Sequence, residues 1–139
     1  MRATKVIGQT KDVGFQVGIR KTFQISTENA KNFLFSNEGI KQWLGEIIAG
    51  ELTLNQEYQT KDGTEGTVRI FNPSSHIRIT WKKKEWLNVS TVQVRIIPAK
   101  KGTTISFHQE KILNSLQRDE MKNHWEAILK KIEKGIQQK

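Results

Sequence analysis

From Phe15 the chain alternates. Phe15, Val17, Ile19, Phe23 and Ile25 share one parity, and Gln16, Arg20, Thr22 and Gln24 take the other. That pattern predicts a half-buried strand, with Lys21 standing out on the apolar side. The period then changes. Ser26 or Thr27 can cap a helix carrying Ala30, Phe33 and Leu34, and Ser36 or Asn37 a second short one carrying Ile40, Trp43 and Leu44, with Gly45 as its stop. Residues 48–112 read as successive strands. Asp62-Gly63 marks a hairpin expected to be type I′, with positive φ at both central positions. Val68 and Ile70 alternate with Thr67 and Arg69. NPSS at 72–75 turns the chain. Ile77, Ile79 and Trp81 oppose His76, Arg78, Thr80 and Lys82. Val92, Val94 and Ile96 oppose Thr91, Gln93 and Arg95, and after the turn at 98–102 Ile105 and Phe107 mark the last strand. Finally Met121, Trp125, Ile128, Leu129, Ile132 and Ile136 recur at helical spacing amid charge.

A strand, two short helices, an antiparallel meander and one long helix make an α+β chain. The C-terminal stripe needs an apolar partner, and the inner face of the sheet is the large candidate. The expected architecture is therefore a helix grip: a curved antiparallel sheet around a long C-terminal helix, with two short helices after the first strand. A curved sheet cannot touch a straight helix along its whole length, so a gap between them is expected. The 139 residues are read as a single domain, with 1–14 a loosely held arm or edge segment.

Composition narrows the function classes. Without cysteine there is no disulfide, thiolate ligand or catalytic thiol, and no apolar run is long enough for a membrane span. The first residues do not form the apolar stretch of a secretory signal, which fits a cytoplasmic chain. The net charge of +9 is uneven. Residues 1–25 carry five basic and one acidic side chain, 26–81 five and seven, 82–111 seven and two, and 112–139 six and four. The excess sits in the N-terminal arm and in the stretch opened by Lys82-Lys83-Lys84. Its default meaning is a solvated face, and no helix-turn-helix, zinc-finger or RNA-binding aromatic motif accompanies it, so no nucleic-acid partner is expected.

Several segments in order and spacing carry a resemblance: Lys21-Thr22-Phe23 before the paired helices; Ile40-Lys41-Gln42-Trp43-Leu44; the Gly63 to Trp81 hairpin closing on Ile79-Thr80-Trp81; Gly102-Thr103-Thr104-Ile105-Ser106-Phe107-His108; then Arg118, Met121 and His124-Trp125-Glu126-Ala127-Ile128-Leu129. Over about Ile19 to Ile136 the chain resembles the START-like SRPBCC superfamily, and within it the Aha-type group, homologues of the activator of the heat-shock-protein ATPase. The resemblance implies a hydrophobic ligand between sheet and helix; some members are cyclases, dehydratases or lipid carriers. His124 departs from it, standing where many relatives carry glycine. The eukaryotic chaperone activators have an additional N-terminal domain for which this chain has no room, so chaperone stimulation does not carry over with the family name.

The candidate ligand wall comprises Trp43, Val68, Ile70, Ile79, Trp81, Val92, Val94, Phe107, Met121 and Trp125, residues whose bland role is simply to fill the core. Trp86, in the polar loop, is expected at the cavity mouth or the surface. His76, His108 and His124 lack metal-ligand spacing, so neither a metal nor another cofactor is expected. His124 and Glu126, at i and i+2 of a helix, point apart and are given no catalytic role. The expected function is non-catalytic binding of a small hydrophobic or amphipathic molecule. The alternatives are a protein-interaction or chaperone-associated domain with a solid core, acting through its basic surface, and a cyclase- or hydrolase-like enzyme.

Overall fold

The computed structural model describes residues 9–10 and 14–137. Eight strands, β1 (Gln9–Thr10), β2 (Gly14–Phe23), β3 (Ile47–Gly50), β4 (Glu57–Thr60), β5 (Glu65–Asn72), β6 (His76–Trp81), β7 (Ser90–Ala99) and β8 (Gly102–Ile112), form one antiparallel sheet in the order β1-β2-β8-β7-β6-β5-β4-β3. The meander from β3 to β8 thus closes on β2. Helices α1 (Thr27–Leu34) and α2 (Asn37–Trp43) follow β2, and α3 (Ser115–Gln137) ends the described chain. This is the helix grip expected from the sequence. Of the N-terminal arm, β1 pairs with β2, and residues 1–8 and 11–13 lie outside the described residues.

Both short helices start as their sequences dictate. The hydroxyl oxygens of Ser26 and Ser36 accept the amides of Asn29 and Gly39, each at 3.0 Å, satisfying donors that the first helical turn leaves open. Trp43 ties α2 back to α1 by donating its indole N–H to the Leu34 carbonyl at 2.9 Å.

Strand parity sorts the core. Ile77, Ile79 and Trp81 on β6, Val92, Val94 and Ile96 on β7, and Ile105 and Phe107 on β8 are buried. The α3 stripe of Met121, Trp125, Ile128, Leu129 and Ile132 is buried against β2, β8 and α2. Lys21, the misfit on the apolar side of β2, reaches Glu133 of α3 at 3.1 Å. Its parity places the ammonium over the helix, and the pair lies at the solvent edge, where such bridges contribute little.

Two local expectations change. The β4–β5 hairpin is not type I′: among its described residues only Gly63 takes positive φ, at 94°. The loop is Lys61-Asp62-Gly63, with the Gly63 amide on the Thr60 carbonyl and the Thr60 amide on the Thr64 carbonyl, the three-residue hairpin with glycine in the left-handed position. Asp62 spends its carboxylate on the turn, accepting from the Thr60 hydroxyl and the Thr64 amide. Partial burial works to raise its pKa, but these hydrogen bonds outweigh it and hold the carboxyl below its ordinary value.

The second change is a register shift between Val68 and Ile70. Val68 faces Ile79, but Ile70 pairs with Arg78 and Phe71 with Ile77. The irregularity turns Ile70 from the inner to the outer side and brings Phe71 against the core instead.

Candidate functional site

Between sheet and α3 the side chains meet one another. Trp125 stacks on Phe107 with ring centroids 4.6 Å apart and planes 12° from parallel. Phe107 also meets Trp43 at 6.1 Å, and Phe35 meets Trp43 edge-on at 6.3 Å. Of the ten wall residues expected from the sequence, nine (Trp43, Val68, Ile79, Trp81, Val92, Val94, Phe107, Met121 and Trp125) are buried. Ile70 is the exception, displaced by the β5 irregularity. Trp86 differs as well. A turn in which its amide bonds the Lys83 carbonyl folds its ring back onto Trp81, at 5.2 Å and 72°, so it is buried in the core.

A polar relay crosses this seam. The Trp125 indole N–H donates to Gln109 Oε1 at 2.8 Å, Gln109 Nε2 donates to Ser90 Oγ at 2.9 Å, and the Ser90 hydroxyl donates to the Trp81 carbonyl at 2.6 Å. Gln109 and Ser90 are fully buried. An unmet amide there would cost about 1–3 kcal/mol, so the relay fixes the side-chain arrangement as much as it stabilises it. Neither residue was among the expected wall. The signal was available: Gln109 shares the inner parity of Ile105 and Phe107, and a polar residue on an apolar face needs a partner.

His124 sits at the rim. Its ring packs edge-on to Trp125 at 4.8 Å and against Trp81 at 6.0 Å, while the residue as a whole is exposed. Desolvation by these rings is the first cause of a pKa lowered from 6.5 to about 4, and Lys83 and Lys131 add to it against Glu120 and Asp62. The folded state therefore takes up this proton less readily than the unfolded chain. The histidine's contribution to stability is present above pH 6.5 and is lost as pH falls from there toward about 4. His124→Phe, which keeps a ring and removes the titration, is expected to flatten the drop in urea midpoint between about pH 7 and about pH 5. An unchanged drop would assign it to other groups. Glu126 stands exposed on α3. Among the described residues no three His, Asp or Glu side chains gather as a metal site.

Clefts occur away from the seam. One of about 700 Å³ is lined by Glu57, Gln59, Glu65, Thr67, Thr80 and Lys82 among others, at outward-facing register positions of β4–β6. Another of about 340 Å³ lies between α1 and the end of α3, lined by Ile25, Asn29, Asn32, Phe33 and Ile136.

A different feature marks one end of the fold, where the β6–β7 loop meets the β8–α3 junction. Asn88 Nδ2 donates to the Lys111 carbonyl and Gln117 Nε2 to Asn88 Oδ1, both at 3.2 Å. The Gln117 amide bonds Asn114 Oδ1 at 2.8 Å, and Gln117 Oε1 accepts the Leu113 amide at 3.1 Å. These bonds start α3 and hold Lys111 in the left-handed region, at φ 63°. Lys83 pairs with Glu120 of α3 across the same junction. At this braced end three leucines are exposed, Leu87 at 93%, Leu116 at 77% and Leu113 at 54%, while Val89, 52% exposed, lines the cleft on the outer side of β4–β6. Lys111 is exposed at this junction next to Glu110, whereas Lys84 lies against Gly63 of the β4–β5 hairpin and Lys82 pairs with Glu65 through the backbone.

Comparisons place this architecture. A family model described as activator of Hsp90 ATPase homolog 1-like protein matches residues 31–137. Among solved structures, CalU16 from Micromonospora echinospora superposes with a TM-score of 0.74 at 18% identity, covering 88% of this chain and 77% of that one. Protein MLL2253 from Mesorhizobium loti gives 0.73 at 16%, covering 88% and 97%. PFC0360w, an HSP90 activator from Plasmodium falciparum, gives 0.71 at 20%, covering 88% and 96%. At these identities the structural likenesses establish the fold alone. A comparison with curated protein sequences returns no match. With the family model spanning most of its length and the helix grip around its core, the chain belongs to the activator of Hsp90 ATPase homolog 1-like family, of START-like fold.

Proposed function

We propose that this chain is a non-catalytic docking domain that meets its partner through the end built from residues 82–89 and 111–117. The observation carrying this is the contrast between two apolar sets. The α3 stripe is engaged with Phe107, β2 and β8, so it is already committed to the core. Leu87, Leu113 and Leu116 are exposed on the β6–β7 loop and at the start of α3, which Asn88 ties together. Leaving three leucines near one another in water costs solvation free energy, and exposed apolar patches mark interaction surfaces. The relative from P. falciparum is an HSP90 activator, which makes a chaperone one candidate partner. The test is site-specific photo-cross-linking in the host cell. Photoreactive residues at positions 87 and 116 are expected to give adducts, to protein or to lipid, that a probe at outward-facing position 78 does not. Adducts at 78 alone, or none at 87 and 116, would overturn the proposal.

One observation favours a second reading, a hydrophobic or amphipathic ligand within the seam. The wall is apolar apart from the Gln109–Ser90–Trp125 relay, and apolar walls with a few placed polar groups characterise small-molecule sites. Phe107 and Trp125 would have to part for such a ligand to enter. Native mass spectra of detergent-free protein decide this. A discrete hydrophobic mass, retained on purification and released on denaturation, supports the ligand. A bare chain that also fails to bind hydrophobic probes leaves the seam as core.

A further inference from the structure

We infer that the outer face of the sheet carries a phosphate site, in which Arg20 and Arg95 hold one phosphate dianion over the Ser106 hydroxyl. Register sets the geometry. Ser106 of β8 pairs with Arg20 of β2 on one side and with Arg95 of β7 on the other. All three take the solvent-facing parity, opposite the buried Ile105 and Phe107. The two arginine Cα atoms therefore stand two strand spacings apart, about 10 Å. Both arginines are exposed, and both side chains are long enough to reach the middle of the row. Ser106, on the same face, is only 8% exposed, a short side chain at the floor between two long ones.

Charge and donors select the ligand. Among the described residues the side chains of Arg20, Arg95 and Ser106 enter no hydrogen bond or ion pair. Their neighbours are engaged: Arg78 gives Nε and Nη2 to Gln93 Oε1 at 3.2 and 2.8 Å, and the Thr22 and Thr104 hydroxyls bond each other at 2.6 Å. Strands β2, β6, β7 and β8 hold a single acidic residue, Glu110. It lies four residues from Ser106 along β8, about 13 Å away, and faces His108 at 4.0 Å. The positive charge around Ser106 is thus unbalanced. A phosphate monoester carries about −1.5 to −2 charges and three acceptor oxygens, which match two guanidinium forks and one hydroxyl. A carboxylate brings one charge and two oxygens, enough for one fork. A nucleic-acid strand fits less well, because the Phe and Trp residues of these strands (Phe15, Phe23, Trp81 and Phe107) all pack in the core and leave bases nothing to stack on.

The experiment is an NMR titration of the full chain with inorganic phosphate at constant ionic strength, with acetate as the monoanion control. Saturable shifts are expected at the amides of Arg20, Arg95 and Ser106, with acetate weaker by at least about tenfold. Arg20→Gln/Arg95→Gln is expected to weaken phosphate by about tenfold or more. Arg78→Gln removes a cation already engaged by Gln93 and should leave phosphate binding within about twofold. All three arginines are exposed, so the thermal midpoint of each variant should match the parent and serves as the folding control. Glucose 6-phosphate in solution and phosphatidate in sedimenting vesicles then tell a soluble ester from a lipid headgroup. Binding of either, lost in the double variant, supports the site and names the source of its phosphate; binding of neither overturns it. Shifts that do not saturate, an equal response to acetate, full binding by the double variant, or an equal loss in Arg78→Gln would each overturn it as well.

Discussion

Trp125→Ala is expected to destabilise the protein by about 3–5 kcal/mol in urea unfolding, the range for removing a large aromatic side chain from a close-packed interior. The indole lies flat on Phe107 and its N–H meets Gln109, so truncation opens a cavity and leaves a buried carbonyl oxygen without its donor. Trp125→Phe separates the two effects. It keeps a ring on Phe107 and removes only the hydrogen bond, and should cost about 1–3 kcal/mol. A loss below about 1 kcal/mol for alanine would mean that the seam tolerates a void, as a ligand chamber would, and would favour the small-molecule reading.

Gly66→Ala is expected to cost about 3 kcal/mol or more, for a reason no sequence pattern displays. A Cβ at Gly66 would fall 1.8 Å from the Thr80 carbonyl oxygen and 2.7 Å from the Tyr58 hydroxyl. Tyr58 reaches across the glycine to donate to that same carbonyl at 2.6 Å. Burial, with Glu65 adding, raises its pKa, so the phenol remains a donor throughout the ordinary pH range. The obstruction is backbone and cannot rotate away, so β5 and β6 would have to separate. Gly18→Ala is the control. Its Cβ would meet only a His108 ring carbon, at 3.5 Å, and the change should stay within about 0.5 kcal/mol. Equal losses at the two positions would refute the close approach.

The fold was legible because its elements follow strong periods: alternation fixed the inner faces of β6, β7 and β8, and the stripe from Met121 to Ile132 fixed α3. Misplacements came where one local event outweighs a period. The irregularity at Arg69 moved Ile70 outward, and a single turn at Lys83–Trp86 carried Trp86 inward from a loop that reads as polar. Whether the grip encloses a gap was not legible. That depends on how ring volumes add across strands distant in sequence, as for Phe107 with Trp125 and Trp43. The exposed end was equally hidden. Leu87, Leu113 and Leu116 stand outside any repeating face, and only the folded chain brings the β6–β7 loop to the start of α3 through Asn88 and Gln117.

Docking at one end above a closed core is tested most directly by amide hydrogen exchange of the full chain, in buffer and in total host-cell extract. Protection gained in extract at 83–89 and 111–117, with the α3 amides from Met121 to Ile132 unchanged, is the expected result. Protection or exposure changing along the α3 seam, with the loop end unaltered, would contradict it and place the functional site between helix and sheet.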